Sequence, residues 1–289
     1  MRALTSTFSA EWSRLFRSRS TWFAGIAISV VAFLRVSAVH VTERAAWAQQ
    51  LQRALLQGNE PPDAPPISNA FGPWVDGLRA GIALGVILLI VHGARSLATD
   101  DERGIARIQL TRGASRSSLV LVRGALGFVL VPLLVLLSGL GALFAATLFF
   151  RFEALVQEGY ELASLDLLFE ESRIAILAAL PPLIASHSFA IMISARARSS
   201  ALALVLALVV LLGFDLFKEV LGESQYWLFA AYTPSFVDHS CLKEMSGIAR
   251  GFFDSGYTDA LIRMNFTLPL AQAALFIVIA LLLYRRRPL

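Results

Sequence analysis

The chain has 289 residues, of which 56% are hydrophobic and 16% charged, with a formal net charge of +4. A mean hydropathy of +0.65 excludes an ordinary soluble domain, and a pI near 9.6 would suit a nucleic-acid binder were the arginines not placed by membrane topology, as set out below. The single cysteine, Cys241, excludes an internal disulfide.

Residues 1–19 read as an amphipathic interface helix. Leu4, Phe8, Trp12, Leu15 and Phe16 recur at helical spacing, while Arg2, Ser6, Ser9, Ser13 and Arg17 fill much of the remaining surface. Such a helix anchors the first span or meets a cytoplasmic partner. Six apolar stretches follow, at residues 20–41, 74–98, 118–150, 172–195, 200–217 and 266–284. Each approaches or exceeds the roughly 20 residues a helix needs to cross a hydrocarbon core about 30 Å thick. Within the first stretch, the apolar run from Trp22 to Leu34 followed by Val36-Ser37-Ala38 loosely fits a signal peptide, but its basic flank is long, and an uncleaved span is expected. Arg35 is placed to snorkel to the interface.

Residues 42–73 form the first outer loop. Trp47, Leu51, Ala54 and Leu55 cluster on one side of a helix-compatible stretch, and Pro61, Pro62, Pro65 and Pro66 then stop it, giving a short cap and a turn back to the membrane. The second span carries Gly77, Gly81 and Gly85 at intervals of four, which suits close helix packing, either within the bundle or at a dimer face. His92 and Arg95 lie near its inner end.

Residues 99–117 are the richest polar segment. Thr99 to Glu102 fits a capping box that would open a short helix with Ile105 and Ile108 on one side, and Gly113 can end it. A charged helix held there would transmit force from a cytoplasmic motor; the plainer reading is a solvated loop. Pro132 in the third span and Pro181-Pro182 in the fourth predict bends. His187 lies in the second half of the fourth span. Asp215, late in the fifth, has Lys218 three residues on, so the two can neutralise each other. Residues 218–265 contain apolar pieces too short to cross, which suits helices at, or dipping into, the outer interface.

The arginines alternate with the spans. Arg14, Arg17 and Arg19 precede the first; Arg103, Arg107, Arg112 and Arg116 separate the second and third; Arg196 and Arg198 separate the fourth and fifth; Arg285, Arg286 and Arg287 follow the sixth. The segment between the third and fourth spans is acidic instead. Cations in short loops mark the cytoplasmic side, so both termini are expected there. The expected fold is an all-α polytopic membrane protein with six transmembrane helices and a single domain over residues 1–289. No nucleic-acid role is expected.

The chain contains no P-loop, no HExxH and no Gly-x-Ser-x-Gly. Its histidines, His40, His92, His187 and His239, have no ligand spacing. No catalytic, cofactor or metal site is expected. His92, Arg95 and His187 all approach the inner leaflet, where contact with water or headgroups is expected; an enzyme acting there is the alternative.

Glu102-Arg103-Gly104, then Ser115-Arg116, then Arg123-Gly124 resemble the cytoplasmic loop of ABC-2-type transporter permeases. The amphipathic start, the six spans, the outer helices and the arginine-rich end are similar as well. Within that family, Phe214-Asp215-Leu216, Thr233-Pro234-Ser235 and Arg285-Arg286-Arg287 are most similar to the permeases that help mature nitrous oxide reductase. The resemblance implies a half-transporter of the type V exporter kind in a bacterial inner membrane. A second permease copy, most simply an identical one, and two cytoplasmic P-loop ATPase subunits would complete it, with ATP and Mg held by the ATPase. It implies a coupling contact through Asp101, Glu102, Arg103, Gly104, Ile105, Arg107, Ile108, Arg112, Ser115 and Arg116, with a smaller one at Arg196 and Arg198. It also implies export of a substrate, or conformational work on a periplasmic partner; a membrane scaffold recruiting such a protein is the other reading. Membrane lipids are expected neighbours.

Overall fold

The computed structural model describes residues 2–58, 69–111, 113–157, 160–235, 237–253 and 258–287, with side chains from residue 7 onward. Pro61, Pro62, Pro65, Pro66 and Arg112, and the side chains of Arg2, Leu4 and Ser6, lie outside the described residues. Nine α-helices are present among the described residues: α1 (Arg2–Arg17), α2 (Arg19–Gln57), α3 (Phe71–Glu102), α4 (Ile105–Thr111), α5 (Arg116–Phe149), α6 (Leu165–Arg196), α7 (Ser200–Phe217), α8 (Cys241–Ile248) and α9 (Asp259–Arg285). Six helical segments, all but α1, α4 and α8, are long and apolar enough to cross a membrane, which gives the architecture of a multi-pass helical membrane protein.

Packing divides these six into inner and outer helices. In its most apolar window α6 is 72% buried, whereas α2 and α9 are 17% buried each. The exposed positions of the outer helices are apolar, such as Trp22, Phe23 and Ile26 on α2 and Leu275 and Val278 on α9. In water such faces would be costly; in hydrocarbon they are the surface a membrane protein requires. Inside, small residues bring backbones together. A Cβ on Gly77 would sit 2.5 Å from Val36 Cγ2 and 2.8 Å from the Ala32 carbonyl oxygen, and one on Gly81 would sit 2.7 Å from Ser138 Oγ. A Cβ on Gly85 would run into Leu134. The glycine stripe of α3 is therefore filled by α2 and α5 of the same chain and is not an open dimer face.

Several boundaries differ from the sequence expectation. Residues 42–57 do not form a separate cap: α2 continues without a break for 39 residues, because Ala, Gln, Glu, Arg and Leu are all good helix formers and nothing stops them before Gly58, which adopts φ 69°. Thr99 to Glu102 is not a helix start but the last turn of α3. The chain reverses at Gly104 (φ 68°), and the isolated helix is α4 alone, with Gly113 (φ 90°) after it. The capping box lies at the start of α5, where Ser115 and Ser118 each accept the other's backbone N–H at 3.0 Å. The fourth and sixth spans begin earlier than read, at Leu165 and Asp259. Helices α5 and α6 run on through Pro132 and Pro181-Pro182.

The segment after α7 continues as 3₁₀ turns, Lys218–Trp227 and Phe229–Tyr232, before α8. It packs against the bundle. Phe229, Ala230, Ala231 and Tyr232 are buried, and Leu242 and Met245 of α8 join the main core formed with α3 and α6. A small antiparallel hairpin, β1 (Leu155–Gln157) and β2 (Tyr160–Ala163), follows α5 and was not expected. These features mark the hairpin end of the bundle; α4 marks the other.

Candidate functional site: the α4 end of the bundle

Helix α4 is short and amphipathic. Ala106 is buried beneath it, Ile105 and Leu110 are half-buried, and Arg107, Ile108 and Thr111 face outward. Ile108 is 52% exposed, an aliphatic side chain beside an outward arginine. Arg103, Arg196 and Arg198 are exposed at the same end.

The loop is bonded to α7 and α9, and the end of α3 just before it to α6. Ser200, at the first turn of α7, donates its backbone N–H to Glu102 Oε1 at 2.9 Å and its hydroxyl to Oε2 at 2.6 Å. An anion at a helix N-terminus meets unpaired N–H groups and the positive end of the helix dipole. The Tyr284 hydroxyl of α9 donates to Asp101 Oδ1 at 2.8 Å, and Arg287 Nη1 lies 3.0 Å from Asp101 Oδ2. Arg116, opening α5, donates to the carbonyls of Arg285 and Arg287 at 2.8 and 2.7 Å, covering the free C-terminal carbonyls of α9. Ser194 Oγ of α6 accepts the backbone N–H groups of Leu97 and Ala98 at 3.1 and 3.0 Å, tying α3 to α6 just before the loop.

The residues expected at the coupling contact thus separate into two sets. Asp101, Glu102, Ser115 and Arg116 are committed to bonds within the chain. Gly104 supplies the turn and Ile105 packs inward. Arg103, Arg107, Ile108, Arg196 and Arg198 are left facing outward.

Beneath α4 lies a buried ion network. Arg123 of α5 pairs with Asp100 of α3 and, at 3.4 Å, with Glu11 of α1; Arg14 reaches Asp100 at 3.2 Å and Glu11 at 3.8 Å. Among the described side chains of α1, Glu11 and Leu15 are the buried ones, so the packed line there is not the aromatic ladder of Phe8, Trp12 and Phe16, whose rings contact one another in turn. His187 is not at headgroups. It is 1% exposed, its ring lies between the carbonyls of Leu89 (3.4 Å) and Arg123 (3.3 Å), and it stacks on His92 with centroids 5.7 Å apart. Arg95 is exposed on α3.

The hairpin end has its own networks. Arg35 does not snorkel freely: with Arg79 and Arg250 it surrounds Asp76, at 3.6 Å for Arg35 and 3.2 Å for Arg79. Ser246 donates to the same carboxylate at 2.8 Å, and Arg79 also holds Asp238 at 2.7 Å. Asp215 and Lys218 pair at 2.8 Å, with Ser235 bonded to both. Burial pushes the Tyr232 phenol up to about 12, so it remains a neutral donor to the Tyr226 carbonyl at 2.8 Å.

The sequence did not single out Asp76, Arg79, Asp100 or Ser200, and it offered Arg123 only as part of the loop resemblance, not as an ion-pair partner. A charge inside an apolar run was the available signal for Asp76, Arg79 and Arg123. Among the described residues no group of three or more His, Cys, Asp or Glu is arranged to hold a metal ion. No family model, curated protein or solved structure matches the chain.

Proposed function

We propose that the chain is the membrane permease subunit of an ABC transporter, driven by a separate cytoplasmic P-loop ATPase that binds at the α4 end. The observation that carries this reading is the mounting of α4: its outer face is open, while the residues on either side of it are bonded to α7 and α9. A displacement of α4 would pass to several spans at once rather than dissipate in a flexible loop. Coupling across such an element needs two packings of the bundle with different affinity for the two motor states. In this reading the α4 end is cytoplasmic, consistent with its arginines. Two permeases and two ATPase subunits make the assembly, ATP and Mg belong to the ATPase, and this chain does no catalysis. The work done is export of a substrate or movement of a periplasmic partner, in a bacterial inner membrane.

The test uses the outward residues, not the structural ones. The full chain is co-purified with its candidate ATPase in lipid, and complex formation and ATP hydrolysis are measured for wild type, Arg107→Glu and Ile108→Asp. Both variants should keep the wild-type unfolding temperature and lose most of the binding and of the modulation of hydrolysis. Undiminished binding by both variants, or no ATPase bound by wild type, overturns the proposal.

A further inference from the structure

A partly open cavity of about 460 Å³ lies between α1, α2, α3 and α5 at the α4 end. That is within the range of small-molecule sites, about 300–1,000 Å³. Its lining changes character along the helix axes. Arg95, Arg103 and Arg123 line it at the α4 end, and Leu126, Leu130 and Leu137 line it deeper in. From Arg123 to Leu137 along α5 the slot runs about 21 Å at 1.5 Å per residue. One leaflet contributes about 15 Å of hydrocarbon, so the slot has the length of one leaflet's chain with a headgroup above it.

The charges at the mouth do not cancel. Arg14 and Arg123 are matched by Glu11 and Asp100. Arg95 and Arg103 line the same mouth, are exposed, and have no ion pair among the described residues. The neighbouring Glu102, hydrogen-bonded by Ser200 but still an anion, interacts with both arginines and offsets one of their two charges, so the mouth keeps a net positive charge. Two buried polar atoms on lining residues are also without partners, Arg123 Nη1 and Thr99 Oγ1, although Arg123 is only 4% exposed. Buried donors left unpaired are costly, and native structures pair nearly all of them.

We propose that this cavity binds an anionic membrane lipid. Its phosphate headgroup sits against Arg95 and Arg103, where it offers acceptors to Thr99 and to the free Nη1 of Arg123. One acyl chain lies along the leucines of α5. The excess of one positive charge at the mouth selects the negative headgroup, and the apolar slot selects a chain that already dissolves in hydrocarbon. Helix α1, with Leu15 tucked in at 8% exposure, lies at the cavity's edge and holds the ligand in place. The site rests on the cavity alone and does not depend on the ATPase reading.

Native mass spectrometry and thermal unfolding of the purified full chain in detergent, with phosphatidylglycerol, phosphatidylcholine or inorganic phosphate added, provide the test. Wild type should retain phosphatidylglycerol over phosphatidylcholine by about fivefold or more, the preference expected from one net positive charge near an anionic group, and phosphate alone should not stabilise it. Arg95→Gln/Arg103→Gln, at two exposed positions, should abolish the preference. Arg196→Gln/Arg198→Gln removes equal charge from the same end away from the cavity and should keep it. Equal retention of the two lipids by wild type overturns the proposal. So does a preference that survives in Arg95→Gln/Arg103→Gln or disappears in Arg196→Gln/Arg198→Gln, or stabilisation by phosphate equal to that by phosphatidylglycerol.

Discussion

Arg123 and Asp100 form an ion pair whose side chains are 4% and 1% exposed, joining α5 to α3 in the interior of the bundle. Through Glu11 and Arg14 the same pair fastens α1, so three helices meet in one network. Removing one partner of a buried pair costs about 3–5 kcal/mol, because the other charge is stranded. Arg14 stays beside Asp100, so Arg123→Leu is expected near the lower end of that range. Asp100→Leu/Arg123→Leu should recover most of the loss. Thermal unfolding of the three proteins measures this, and a double variant no more stable than Arg123→Leu would show that the two charges are not coupled.

Overfilling the α3 stripe gives a second prediction. Gly77→Val places side-chain atoms where Val36 and Ala142 already sit, and overpacking of this kind costs about 1–3 kcal/mol. Because the stripe is filled within one chain, the loss should not depend on protein concentration. Sedimentation and unfolding at several concentrations check this, and a loss seen only as subunit dissociation would contradict the intrachain packing.

Cys241 is the sole cysteine and is 8% exposed at the start of α8, which Arg250 and Ser246 tie to Asp76. Asp76→Asn weakens that tie and should raise the maleimide labelling rate of Cys241 by about tenfold, equivalent to making local opening about 1.4 kcal/mol easier. An unchanged rate would mean that α8 is held by its apolar contacts alone.

Arg116 covers the carbonyls of Arg285 and Arg287. Arg116→Ala should leave the last turn of α9 frayed and speed tryptic cleavage among Arg285, Arg286 and Arg287 several-fold, while cleavage near Arg107 changes little. Equal acceleration at both places would indicate general unfolding instead.

The six spans were legible because hydrocarbon makes a local demand: every residue in about twenty must tolerate it, and the demand is written in consecutive letters. The short helix α4 was legible too, but its faces were not: Ile105 and Ile108, read as one side, are split, Ile105 packing inward and Ile108 facing out. The ion networks were not legible. Asp76 meets Arg250 from 174 positions away, and Glu11 meets Arg123 from 112; nothing in the intervening sequence encodes either meeting. Thr99-x-x-Glu102 misled because a capping box is a pattern of side chains that also occurs at a helix end. Here the glutamate caps a different helix, α7, through Ser200. The far end of α2 misled because polarity ends a span without ending a helix.

The unbroken length of α2 also makes it a lever. At 1.5 Å per residue, the 39 residues of α2 make a rod about 58 Å long, nearly twice the thickness of the hydrocarbon core. Its final sixteen residues, Thr42 to Gln57, are mostly exposed and extend as one unhinged piece with the membrane-embedded part. A tilt of about 10° within the bilayer would sweep the tip about 4 Å sideways over an arm of about 24 Å. Leu55 and Leu56, 64% and 79% exposed at that tip, would carry the stroke.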